Sequence, residues 1–113
     1  MAFRNFTPHT LNLILPDGSE LVFPSEGVAR VSATPGKVSM VDGIPVAAPD
    51  TFGEVTGLPG ASDIEEGDYI IVSGMVGAAL KPGSGFVVPG TGPSDNPVRV
   101  DGRIVAVTRF KFV

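Results

Sequence analysis

The chain reads as a single all-β domain, a small barrel or sandwich of short antiparallel strands with one short helix. Three observations predict it. Glycine and proline together supply 26 of the 113 residues. They fall at intervals between brief runs of valine, isoleucine, leucine and phenylalanine, as turns do between strands. No stretch sustains the 3.6-residue apolar period of a long amphipathic helix. A unit of this size holds about six to eight strands in common sandwich and barrel architectures.

Taken in order, Leu11 to Leu15 and Glu20 to Phe23 flank Pro16-Asp17-Gly18. Proline presets its own backbone angle there and glycine accepts the left-handed one, so the segment predicts a hairpin. Ala29 to Ala33 alternates as a strand, with Val31 and Ala33 on one face and Arg30 and Ser32 on the other, and Pro35-Gly36 ends it. Lys37 to Val41 is its expected partner. Asp42-Gly43 is a second turn leading to Ile44 to Ala47, and Phe52 to Val55 adds a further short strand. The first half is thus expected to be a meander. Asp63, Glu65, Glu66 and Asp68 make an acidic loop before the apolar run Tyr69 to Val72, which predicts a buried strand. Ser73 is placed to cap a helix over Gly74 to Leu80 by accepting from first-turn amides. Lys81 to Asn96 reads as a long loop around one small strand, Phe86-Val87-Val88. Arg103 to Val113 alternates as the longest strand, with Ile104, Ala106, Phe110 and Phe112 on one face. Its other face mixes Arg103, Arg109 and Lys111 with Val105 and Val107, which points to burial against another subunit. No repeat or break in composition divides the chain.

Composition narrows function more by exclusion than by assignment. Twelve acidic residues against eight basic ones leave a net charge of −4, which disfavours general nucleic-acid binding. No run approaches the length of a membrane span and the amino terminus lacks an apolar signal core, so a soluble protein of the cytoplasm is expected. With no cysteine and one histidine, neither a disulfide framework nor a common metal site is expected, and no cofactor is read. A domain this small then relies on its core, on an oligomer interface, or on both.

The ordered set Asn5-Phe6-Thr7-Pro8-His9, Phe23-Pro24-Ser25-Glu26-Gly27-Val28-Ala29-Arg30, Gly53-Glu54-Val55-Thr56-Gly57-Leu58-Pro59 and Tyr69-Ile70-Ile71-Val72-Ser73 resembles a group of small uncharacterised proteins of bacteriophages, prophages, plasmids and bacterial chromosomes. The resemblance extends to Val87-Val88-Pro89-Gly90 and Asp101-Gly102-Arg103-Ile104. Members often carry an Arg-x-Asp pair before the late proline, where this chain has Gly83-Ser84-Gly85-Phe86. The resemblance implies a phage or mobile-element setting and no established activity.

Thr7, His9, Arg30 and Ser73 are the candidate ligand contacts. His9 titrates near neutrality when unperturbed and sits among hydroxyls, although a histidine of this kind also ties a strand to its neighbour. Arg30 needs an anionic partner, for which Glu54 of the same chain is favoured over a bound phosphate. Ser73 at a helix start is more often a cap than an anion site. The acidic group lacks the ligand spacing of an EF-hand and reads as a solvated turn. A serine or threonine with His9 and an acid can be written as a triad, but no nucleophile elbow supports a hydrolase, and no enzyme is expected. Phe86, Val87 and Val88 read equally as a core plug or as an arm on an adjacent subunit. Together with Arg109 they are the candidate interface of a homo-oligomer. Two non-enzymatic roles follow: an oligomeric protein that captures a small polar ligand, with a nucleotide-like signal as one candidate, in the host cytoplasm, or a virion component such as a capsid decoration or a head or tail accessory protein that contacts other phage structural proteins.

Overall fold

The structure, a computed structural model, describes residues 2–113. It is all-β. Among the described residues the strands are β1 (Phe3–Asn5), β2 (Leu11–Ile14), β3 (Glu20–Phe23), β4 (Arg30–Thr34), β5 (Val38–Val41), β6 (Ile44–Ala47), β7 (Thr51–Thr56), β8 (Tyr69–Ile71), β9 (Phe86–Pro89), β10 (Val98–Val100), β11 (Arg103–Ala106) and β12 (Phe110–Phe112). One short helix, α1 (Gly74–Ala79), joins β8 to β9. Among the described residues no helix is long and apolar enough to cross a membrane.

The centre is a four-stranded sheet in the order β1-β8-β9-β12, and the other strands form two-stranded ribbons around it, with no closed barrel. The ribbons are antiparallel as expected, whereas in the central sheet β8 runs parallel to both β1 and β9 and β9-β12 is antiparallel. A parallel pair needs a crossover. α1 and the glycine-rich turn after it supply the one between β8 and β9. The core lies on the face of the sheet that α1 covers. Phe6, Ala29, Ile70, Val72 and Val76 are buried there, with Val31, Val55, Leu58, Leu80, Phe86 and Val88 packed around them. Gly77 lets the helix settle on the sheet, since a Cβ at that position would lie 2.5 Å from Val88 Cγ1.

The first hairpin forms as its turn predicts, Leu11 facing Phe23 and Ile14 facing Glu20. In the turn, Asp17 Oδ1 accepts from the Ser19 amide at 2.9 Å and from the Ser19 hydroxyl. Those bonds, the hydroxyl's first, hold the Asp17 carboxyl below its usual pKa. A group depressed in the folded state adds stability above its unfolded pKa and loses it as pH falls through the folded value. An NMR titration of Asp17 is therefore expected to find a midpoint below that of a free aspartate, and Ser19→Ala is expected to raise it.

The next four strands depart from the expected meander. β4 pairs with β7, not with β5, and β5 pairs with β6, so residues 30–56 make one long ribbon with the second pair beyond the first. The turn at its tip is Asp42-Gly43, with φ of 50° and 78°. Positive φ at both central residues is the twist that closes a two-residue hairpin. Zipping from that turn leaves Pro35-Gly36 and Pro49 as the two sides of a neck. The chain passes so closely there that a Cβ on Gly36 would meet the Ala48 carbonyl at 1.8 Å.

Phe86-Val87-Val88 forms the strand expected within the long loop, but β9 is an interior strand of the central sheet. Val87 is 2% exposed and Phe86 and Val88 pack on the core. The segment is the core plug, and the alternative of an interface arm is corrected. The single long strand expected over Arg103 to Val113 is also two, β11 and β12. The Val107 amide turns aside to bond the Asn12 carbonyl, which ties this segment to β2. β11 pairs back on β10 through Asp101-Gly102, whose φ values of 51° and 78° repeat the tip geometry of the first ribbon.

Candidate ligand-binding site

Three of the four candidate contacts gather around the segment between β1 and β2. Asn5, 1% exposed, organises that segment. Its Nδ2 donates to the His9 carbonyl and to the Phe23 carbonyl, both at 2.8 Å. Its Oδ1 accepts from the Thr7 amide at 2.9 Å and the Thr7 hydroxyl at 2.7 Å. Ser25 adds a hydroxyl donated to the Thr7 carbonyl at 2.7 Å. Phe6 still bonds Ile71 and Ala29 through its backbone, but residues 7–10 lie outside the strands and are held by side chains.

The held segment borders a shallow trough made of two adjoining depressions, with Pro8 and Ser73 lining both. On one side, a depression of about 270 Å³ is lined by Thr7, His9, Leu11, Pro89 and Thr91. On the other, a depression of about 210 Å³ is lined by Arg30, Val31, Met75 and Val76. His9 and Thr91 also face a third hollow of about 270 Å³ that runs on toward Ile104 and Val105. All four candidate residues therefore line one trough, but they are not equivalent.

Thr7 is buried and its hydroxyl is committed to Asn5 Oδ1 and the His9 carbonyl. It is part of the scaffold. Ser73 caps α1, accepting from the Val76 amide at 3.3 Å, as expected. Its hydroxyl hydrogen has no acceptor among the described residues. His9 is fixed through its carbonyl, while its exposed imidazole has no hydrogen-bond partner among the described residues. Arg30 corrects the expectation of an internal salt bridge. It faces Thr56 across the ribbon, so Glu54 lies two residues farther along β7 and is not its cross-strand partner. No carboxylate lies within 4.0 Å of its guanidinium among the described residues.

Arg109, a candidate interface residue, is engaged inside its own chain. Its Nη2 donates to the Ser94 carbonyl at 3.1 Å, and its Nε lies 3.8 Å from Asp95 Oδ1. Asp95 is 3% exposed, and its Oδ2 also takes the Gly92 amide at 2.9 Å and lies 3.4 Å from Lys111 Nζ. Sequence reasoning missed both Asp95 and Asn5. A polar residue in a turn-rich segment reads as solvated, and only the three-dimensional fold shows that strands close over it.

A larger depression, about 620 Å³, lies elsewhere, lined by Arg4, Glu26, Asp63, Glu65 and Asp68. Arg4 is occupied there, 3.2 Å from Glu26 Oε1, bonded to the Asp63 carbonyl and 5.5 Å from the Phe6 ring centroid. Asp68 is not the solvated residue the acidic loop predicts, since it accepts from the Glu65 amide at 3.0 Å and its side chain is 5% exposed. Size alone does not make this the site. Its carboxylates outnumber its one cation, which is already paired, so it repels anions, and no group of residues able to hold a metal ion occurs among the described residues.

Compared with family models, curated proteins and solved structures, the chain matches none. The functional reading therefore rests on the chemistry of the trough.

Proposed function

We propose that the chain is a non-enzymatic, oligomeric binding protein of phage or mobile-element origin that captures a small polar, nucleotide-like ligand in the trough between the β1-β2 segment and α1. The observation that carries this reading is that two adjoining depressions share Ser73, one lined by Arg30 and the other by His9, neither of whose side chains has a partner among the described residues. A guanidinium suits a phosphate or carboxylate through two parallel hydrogen bonds. Pro8, Leu11, Pro89 and Met75 give apolar walls between the polar ends, as sites for ring-bearing ligands do. None of the residues lining the two depressions is a carboxylate that could orient His9 as a base, so its imidazole is read as a contact.

Thermal-shift screening and calorimetry against nucleotides and other phosphate-bearing metabolites test the reading. A charge-assisted contact contributes about 1.5–3 kcal/mol, so Arg30→Ala is expected to weaken binding by about 10- to 100-fold. His9→Ala is expected to weaken it less, with both variants melting as the parent does without ligand. The absence of binding to any member of such a panel contradicts the proposal.

The virion role keeps one observation in its favour, the flat outline of 53 × 40 × 22 Å with ribbons extending from a small core. It predicts high copy number in purified particles, whereas the ligand trap stays in the lysate.

A further inference from the structure

We infer that the β5-β6 ribbon, Val38–Ala47, is an intersubunit arm that is buried in a second copy of this chain. The inference gives a place to the oligomer in the reading above and rests on it, while the experiment below reads subunit mass and needs no ligand.

An ordinary surface hairpin has one apolar face against its own core and one polar face in water. This ribbon is apolar on both. Val38, Met40, Pro45 and Ala47 share one face, and Val41, Ile44 and Val46 share the other with Ser39. Every residue of both strands is exposed, Met40 at 65% and Ile44 at 62%. A two-stranded ribbon with no covering layer is marginal in water, so these side chains need a cover that their own chain does not supply.

The size of that cover points to another subunit. The chain exposes 7508 Å². A compact monomer of its 11.6 kDa mass exposes about 5,800 Å². The excess of about 1,700 Å² per chain exceeds the roughly 800 Å² per partner of a standard interface and lies in the range of permanent oligomers. The radius of gyration agrees, 16.6 Å against about 13 Å for a compact domain of this length. A second copy also offers apolar ground to receive the arm. Phe3, Tyr69, Phe110 and Phe112 form an aromatic ledge on the central sheet, with neighbouring ring centroids 5.1–5.9 Å apart; Phe23 packs edge-on against Phe3 and Phe110, and Phe112 at the open end is 73% exposed. The arm itself has only Lys37 and Asp42 as charges from its base to its tip, so burial in such a ledge desolvates almost no charge.

Light scattering after size-exclusion chromatography, at high micromolar protein, tests the assignment. The parent protein is expected to run at a multiple of 11.6 kDa. Val41→Lys with Ile44→Glu places opposite charges directly across the ribbon, which keeps the hairpin paired while making one face polar. Met40→Glu does the same for the other face. Both variants are expected to fall to the mass of one chain while their circular dichroism spectra stay unchanged. A monomeric parent would give the arm to a different partner and overturn the inference. Folded variants that keep the parent's mass would overturn it as well.

Discussion

Asn5→Ala is expected to cost about 3 kcal/mol of stability and to loosen the wall of the trough. The side chain is fully enclosed and makes four hydrogen bonds, two as donor and two as acceptor. A made hydrogen bond contributes about 1 kcal/mol net, and a buried group left without its partner costs about 1–3 kcal/mol. Alanine leaves the Phe23 carbonyl and the Thr7 amide without Asn5, and the cavity it opens is polar. Because the same atoms hold residues 7–10, two effects separate. Chemical denaturation reads the lost stability. Hydrogen exchange reads the segment, whose amides are expected to lose protection more than those of Ile70 to Val72. Asn5→Asp provides the control, because it keeps the acceptor but removes the donor that serves the His9 and Phe23 carbonyls. A drop below 1 kcal/mol for Asn5→Ala would mean that the network is not what holds the segment.

Gly57→Ala is expected to cost about as much or more, for a steric reason. Gly57 has φ +82°, and a Cβ there would meet the Val28 carbonyl oxygen at 2.1 Å. Left-handed backbone strains a residue with a Cβ by about 1–2 kcal/mol, and forcing an atom into a closed contact adds about 1–3 kcal/mol. Backbone cannot swing aside as a side chain can. The contact lies where the base of the long ribbon meets the core, since Gly57 follows β7, Val28 precedes β4, and Leu58 packs on the core. The account therefore expects Gly57→Ala to lower the melting temperature sharply. Gly43→Ala, at a ribbon tip with no atom within 4 Å of its Cβ position, carries only the left-handed strain and is expected to cost less.

How much of this was legible depended on whether the deciding contact was local. Pro16-Asp17-Gly18 and Asp42-Gly43 name their own hairpins, because turn conformation is written in the residues that adopt it. Ser73 names its cap for the same reason, and Tyr69 to Val72 declares its burial by composition. β1 left no such mark. Three residues, Phe3-Arg4-Asn5, join the sheet only because Tyr69 to Ile71 lies beside them in parallel, and a parallel pair has no turn to announce it. The ribbon of residues 30–56 misled for a related reason. Pro35-Gly36 looks like a turn and is a neck, and the tighter Asp42-Gly43 turn decides the pairing. Asp101-Gly102 carries the same signal, and read alike it marks the β10-β11 hairpin just before the stretch whose alternation suggests one strand.

The candidate site was read from residue chemistry, and its geometry was not legible. Thr7, His9, Arg30 and Ser73 stand out by chemistry, and the fold places all four along one trough. Which of them are free to bind could not be read locally. Thr7 turns inward to Asn5, whereas Arg30 faces Thr56 and the Glu54 that seemed matched to it lies two residues farther along β7. The candidate interface fared differently, because an apolar run bounded by glycine and proline fits an interior strand as well as an arm. Val87 is interior, and the exposed apolar ribbon is β5-β6 instead.

Native mass spectrometry of the protein taken from cells that carry its phage or mobile element, beside Arg30→Ala from the same source, tests the central claim most directly. The account predicts a multiple of 11.6 kDa with a reproducible added mass on each subunit, and an Arg30→Ala species of the same subunit number that has lost it. Bare protein from both sources, with no added mass to lose, would contradict it.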